Sequence, residues 1–140
     1  MLQQRLGTDS LLIAPKAQTS SATTTANLDT RGANYATIRV ALASAINTNA
    51  VGPTLVLSQS DDTVVTNFTA ISTRTAESIT AAKTLQYGVD LRGKKRYLRL
   101  AVTTATATND NITFSAVATL HDLENAPNGT TSVSDVAVFL

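Results

Sequence analysis

Apolar and polar residues alternate with a period of two along much of this chain, and that period predicts strands. In "YATIRVALASAI" (35–46), Ile38, Val40 and Leu42 fall on one face and Thr37, Arg39 and Ala41 on the other. Ile38, Leu42 and Ala45 also fit a helical stripe, but the Thr, Ile and Val content favours a strand. "TLVLSQS" (54–60) puts Leu55 and Leu57 together, and a polar "SDD" (60–62) turns the chain into "TVVTNFTAI" (63–71). "TLQYGVDL" (84–91) aligns Leu85, Tyr87, Val89 and Leu91. "RYLRLAVTT" (96–104) sets Leu98, Leu100 and Val102 against Tyr97, Arg99 and Ala101. "NITFSAVATL" (111–120) turns Ile112, Phe114, Ala116, Ala118 and Leu120 inward.

Turn signals separate these runs. "DTRG" (29–32), "VGP" (51–53) and "TATND" (106–110) punctuate, "RGKK" (92–95) reads as a hairpin-like turn, and "STRTAESITAAK" (72–83) reads as a loop or short helix. Three late strands joined by short turns predict an antiparallel meander. The fold class expected is therefore all-β, an antiparallel, jelly-roll-like β-sandwich with extended N- and C-terminal arms. Leu98, Leu100, Ile38, Leu55 and Phe114 should share its core.

The pattern fades at both ends. Residues 1–27, with "APKAQTSSATTTAN", read as an N-terminal arm or a loosely held first strand, and 28–121 as the sandwich domain. Residues 122–140 read as a C-terminal arm or added strand: a turn-rich "ENAPNGTTS", then the apolar "VSDVAVFL" (133–140). A strand that apolar must join this domain's sheet or another subunit's, because an exposed apolar edge invites aggregation.

Composition narrows the function classes. A chain of 140 residues makes one domain with its own core. Charged residues are 15% of it, against about 25% in ordinary domains. Thr and Ala supply roughly a third, so an uncharged surface is expected. The absence of Cys excludes disulfides and thiolate metal sites. No apolar run reaches the length of a membrane span, and "LLIAP" (11–15) is too short for a signal-peptide core. The expectation is a soluble product of the cytoplasm with no membrane partner.

Five of the eleven Lys and Arg residues lie in "VDLRGKKRYLRLAVTT" (89–104): Arg92, Lys94, Lys95, Arg96 and Arg99. With a net charge of +1 the cluster is local, and only Tyr87 and Tyr97 accompany it, so direct nucleic-acid binding is not expected. A solvated turn with structural ion pairs is the plainer reading. If a partner is contacted, Arg92, Lys94, Lys95 and Arg96 are the candidates, together with the apolar Val136, Val138, Phe139 and Leu140.

Catalytic chemistry finds little to stand on. His121 and Asp122 are neighbours on a strand and so point to opposite faces. With Glu124 nearby they still lack the second His or Cys that a zinc site needs. Asp61 and Asp62 lack the ligand spacing of a calcium loop, and no Ser sits in a nucleophile elbow. No cofactor, no metal and no enzymatic activity are expected.

Three stretches carry a family resemblance: "LDTRGANYATIRVAL" (28–42), "LSQSDDTVVTNFTAI" (57–71) and "VDLRGKKRYLRLAVT" (89–103). In order and spacing they resemble small structural proteins of tailed bacteriophages that are encoded beside the major capsid protein. The second is similar to that group's "SDD…(W/F)" strand–turn–strand, with Phe68 in the aromatic slot, and the third to its "RGKKRYLR" strand. The resemblance spans about 28–120. It implies a virion protein on the capsid surface, a decoration (cement) protein made in the host cytoplasm. Its implied partners are the major capsid protein and itself, as a homotrimer on local three-fold positions. "RYLRL" strands also recur in sugar-binding jelly rolls. A tail, fibre or capsid-surface carbohydrate-binding module is thus the alternative, disfavoured by three Tyr, three Phe and no Trp.

Overall fold

A computed structural model describes residues 5–19, 21–43, 52–75, 82–104, 112–122 and 137–139. The strands are β1 (Arg5–Gln18), β2 (Thr23–Asp29), β3 (Tyr35–Leu42), β4 (Thr54–Ser60), β5 (Thr69–Thr75), β6 (Lys83–Asp90), β7 (Tyr97–Thr103), β8 (Ile112–Asp122) and β9 (Ala137–Phe139). A 3-10 turn, Val65–Asn67, precedes β5. Sheet A runs β1-β8-β3-β6-β9 and sheet B β2-β7-β4-β5.

This order has a simple origin. β1 pairs with β8, β2 with β7, β3 with β6 and β4 with β5, all antiparallel, as in one long ribbon folded at the β4–β5 turn. The ribbon then rolls up, so that β3 also pairs with β8 and β4 with β7. The outcome is an eight-stranded antiparallel jelly roll of two packed sheets. β9 joins afterwards, parallel to β6 through Gln86–Gly88.

Period-two alternation decides what lies between the sheets. Ile38, Val40 and Leu42 of β3, Leu55 and Leu57 of β4, and Leu85, Tyr87 and Val89 of β6 are buried. So are Leu98, Leu100 and Val102 of β7 and Ile112, Phe114, Ala116 and Ala118 of β8. All belong to one hydrophobic cluster. Each leucine so buried stabilises the fold by roughly 1.5–3 kcal/mol before ordering costs. The helical alternative for 35–46 fails because Val40 and Leu42 must both reach this core, which only a strand permits.

Elsewhere the structure departs from the sequence pattern. The supposed N-terminal arm contains two integral strands, β1 and β2. β1 lacks alternation because it is an edge strand with three register shifts against β8, and of 9–18 only Ile13 and Gln18 are fully buried. Gln18 is amply partnered: Nε2 donates to Val102 O (3.1 Å), Ala22 O (2.6 Å) and Thr104 Oγ1 (2.7 Å), and Oε1 accepts from Thr24 Oγ1 (2.5 Å). These bonds tie the end of β1 to sheet B. The expected meander is absent: β6, β7 and β8 alternate between sheets A, B and A, so "RGKK" crosses between sheets and closes no hairpin. The strand expected over 63–71 begins only at Thr69 and continues to Thr75, while 76–81 lie outside the described residues.

Leu98→Ala should cost roughly 2–5 kcal/mol by denaturant melting, because it opens a cavity where both sheets meet. Tyr87 is the opposite case. Its hydroxyl is buried with no hydrogen-bond partner among the described residues, and burial raises its pKa. Tyr87→Phe should therefore stabilise the fold by about 1 kcal/mol. A loss of stability would show that the hydroxyl makes a bond in solution.

Candidate interaction surface

One end of the sandwich carries the connections β2–β3, β4–β5 and β6–β7, and most of the charge among the described residues is there. The first and third cross between sheets through the same four-residue pattern, Asp29-Thr30-Arg31-Gly32 and Asp90-Leu91-Arg92-Gly93. In each, Asp Oδ1 accepts from the backbone N–H two residues on, Arg31 (3.1 Å) or Arg92 (3.0 Å). In each, a backbone bond closes the turn, Ala33 N–H to Thr30 O (3.1 Å) or Lys94 N–H to Leu91 O (3.0 Å). Each then needs a left-handed residue, supplied by Gly32 (φ 82°) and Gly93 (φ 78°).

The two corners also hold each other. Thr30 N–H donates to Arg96 O (3.0 Å) and Leu91 N–H to Asn34 O (2.9 Å), and Thr30 Oγ1 adds a second bond to Arg96 O (2.6 Å). Ion pairs reinforce them. Arg96 grips Asp29 with two bonds, Nε to Oδ1 (3.0 Å) and Nη2 to Oδ2 (2.6 Å). Arg92 grips Asp90 likewise, Nε to Oδ1 (2.9 Å) and Nη2 to Oδ2 (2.6 Å). Hydrogen bonding from Arg96 lowers the Asp29 pKa to about 2, and that from Arg92 does the same for Asp90.

The remaining basic residues are engaged as well. Lys95 Nζ lies 3.0 Å from Asp61, while Lys94 is half-buried and its charge helps hold the Asp90 carboxyl down. The Arg96 guanidinium lies 4.7 Å over the Tyr97 ring, and Arg99 lies 4.1 Å over Phe68. Arg99 also donates to Val65 O (3.2 Å) and Asn27 Oδ1 (3.3 Å), fastening the β4–β5 connection onto sheet B. The basic stretch is thus spent mostly on the molecule's own carboxylates and rings.

The other candidates resolve in similar ways. Asp62 caps its own loop, accepting from Val64 N–H (2.9 Å) and Asn67 Nδ2 (2.8 Å), and those bonds lower its pKa. His121 Nε2 lies 3.3 Å from Thr37 Oγ1 with its ring beside Tyr35, while Asp122 accepts from Asn34 Nδ2 (3.3 Å). Glu124 lies outside the described residues. Among the described residues no three His, Cys, Asp or Glu side chains come together as a metal site. At the C-terminus the backbone of Ala137–Phe139 adds to the chain's own sheet, while Val136 and Leu140 lie outside the described residues.

Away from the charged end, the outer face of sheet B is a surface the sequence reading did not single out. Register aligns Thr23, Thr103, Thr54 and Thr75 in one row across all four strands, and Thr25, Ala101, Val56 and Thr73 in the next. Thr23 and Thr103 hydroxyls are 2.9 Å apart, and those of Thr54 and Thr75 3.3 Å. A depression of about 340 Å³ at the end of sheet A where β3 finishes and β6 and β8 begin is lined by Pro15, Ala41, Leu42, Lys83, Thr84 and Phe114 among others. Among the described residues Lys83 is its one titratable lining residue, so these gather no acid–base pair.

No protein-family model matches this chain, and no curated protein matches it.

The corner ion pairs set an acid-stability window. Both carboxyls have folded pKa values below the ordinary value of about 3.9. Their contribution is therefore present above that value and is lost as pH falls from about 4 through about 2. A carboxyl NMR titration should give midpoints of about 2 for Asp29 and Asp90. Arg96→Gln should move the Asp29 midpoint up and leave that of Asp90 in place. Unshifted midpoints in the unmodified chain would mean that the pairs are broken in solution.

Proposed function

We propose that this chain is a structural virion protein of the capsid-decoration (cement) type. It binds and stabilises a lattice of major capsid protein, and its copies assemble as homotrimers at local three-fold positions. The observation that carries this reading is the outer face of sheet B, eight aligned positions of which six are Thr, one Ala and one Val. Short, stiff side chains lose little rotamer freedom on contact. Such a surface suits many shallow, uncharged contacts, which repetition on a lattice makes effective through avidity. The resemblance of 28–42, 57–71 and 89–103 to phage virion proteins supports the same role.

The carbohydrate-binding alternative has less behind it. A sugar site asks for an open aromatic face, and among the described side chains Tyr35, Tyr87 and Phe114 are buried while Phe68 and Tyr97 lie beneath arginines. The proposed role is binding rather than catalytic.

The test is co-sedimentation with capsids assembled from the major capsid protein encoded beside this chain. Binding should saturate at a fixed ratio and change little with added salt, since the basic turn is engaged internally. Thr25→Lys together with Thr73→Lys should weaken binding while preserving the melting curve. Replacing Lys94 and Lys95 by Ser should leave binding intact. Failure to bind at any salt concentration would sink the decoration reading.

A further inference from the structure

We infer that the outer face of sheet A is a contact surface for a second copy of this chain, met face to face about a two-fold axis. Leu11 of β1 is 62% exposed and Val117 of β8 38%, and register places them directly opposite each other. The other large exposed apolar side chains among the described residues, Val64 and Val65, lie on the β4–β5 connection beside Arg99. Nothing in the fold asks for Leu11 and Val117 there, because Thr at either position would keep the same backbone pairing. Leu11 and Val117 thus form a contiguous exposed apolar pair flanked by Asp9, Thr119 and Arg39, a small apolar centre for a contact.

The charges beside the pair say what covers it. Val117 also stands opposite Arg39 of β3, and Asp9, two residues before Leu11, stands opposite Thr119. Both charged side chains are exposed, and neither has an ion-pair partner among the described residues. Asp9 accepts from Thr119 Oγ1 (2.5 Å), and Arg39 Nε donates to Gln86 Oε1 (3.1 Å). The midpoint between Asp9 and Arg39 falls over β8, between Val117 and Thr119.

An in-plane two-fold axis through that midpoint brings Asp9 of each copy onto Arg39 of the other, with Leu11 and Val117 packed between. A uniformly acidic partner would meet Asp9, and a uniformly basic one Arg39. The face complements itself, which is the requirement of a two-fold contact with an apolar centre and a charged rim. The contact stands apart from the virion reading; on a capsid lattice it would join copies at neighbouring three-fold positions.

The chain has no cysteine, which makes trapping clean. Under mild oxidation, purified Val117→Cys should form a disulfide-linked dimer well before Thr25→Cys, an exposed control on the other sheet. Sedimentation equilibrium should show two-fold association of the unmodified chain. Asp9→Arg and Arg39→Asp should each weaken it about tenfold or more, and the two together in one chain should restore it. Melting curves should be unchanged throughout. Cross-linking of Val117→Cys no faster than the control would overturn the inference, as would a double swap no better than the single ones.

Discussion

The reciprocal hydrogen bonds between the Asp29 and Asp90 corners are the constraint on which the two-sheet arrangement rests. At one corner the chain passes from sheet B to sheet A, and at the other it passes back. A strand leaving a sheet gives up its ladder partners, and its freed backbone groups must be satisfied at once. Here Thr30 and Leu91 each donate to a carbonyl of the opposite corner, so the two crossings satisfy each other. β3 is thereby delivered beside β6 and β8, and β7 beside β2 and β4. Four of the six antiparallel pairings start at strand ends that these corners position.

Charge follows from that requirement. At each corner the aspartate that closes the turn through its side chain is also paired with a cation, Arg92 in sequence and Arg96 from the opposite side. Much of the chain's scarce charge is thereby gathered at one end of the sandwich. The outer face of sheet B is left to threonine and alanine, with Arg99 anchored at its border over Phe68. A surface built this way has weak long-range electrostatics and a large area of stiff, short side chains. Any partner of such a surface must be recognised by shape more than by electrostatic steering.

How much of this was legible follows from how local each signal is. The inward sets of β3, β4, β6, β7 and β8 could be read from the period, because both faces of a strand are determined by its own residues. Which strands pair could not, since the same alternation serves a meander and a rolled ribbon. The difference lies in whether "RGKK" reverses the chain within a sheet or carries it to the other. The missed clue was the repeat of Asp-x-Arg-Gly at 29–32 and 90–93, which marks two equivalent crossings. β1 was illegible for another reason. An edge strand with three register shifts does not alternate, and Gln18, its most constrained residue, looks like surface until Val102, Thr104 and Thr24 surround it. The threonine rows exist only in register, so no single strand announces them.

The edges of the sheets explain why contacts fall to the faces. An open strand edge is the readiest place for another chain to add, and this fold closes or blunts its edges. β1 is broken by register shifts, and β5 carries another opposite Leu57 and Ser58. β6 is covered by β9 along Gln86–Gly88, and β2 is held at one end by Thr24 bonding to Gln18. Backbone pairing between copies is thus discouraged along β1, β5 and the covered part of β6. What remains available is the side-chain surface of the two outer faces: one uncharged and hydroxyl-rich, the other with an apolar pair between an aspartate and an arginine. Two faces of such different chemistry ask for different partners: under the proposed roles the uncharged face meets a repeating surface and the other a second copy of the chain.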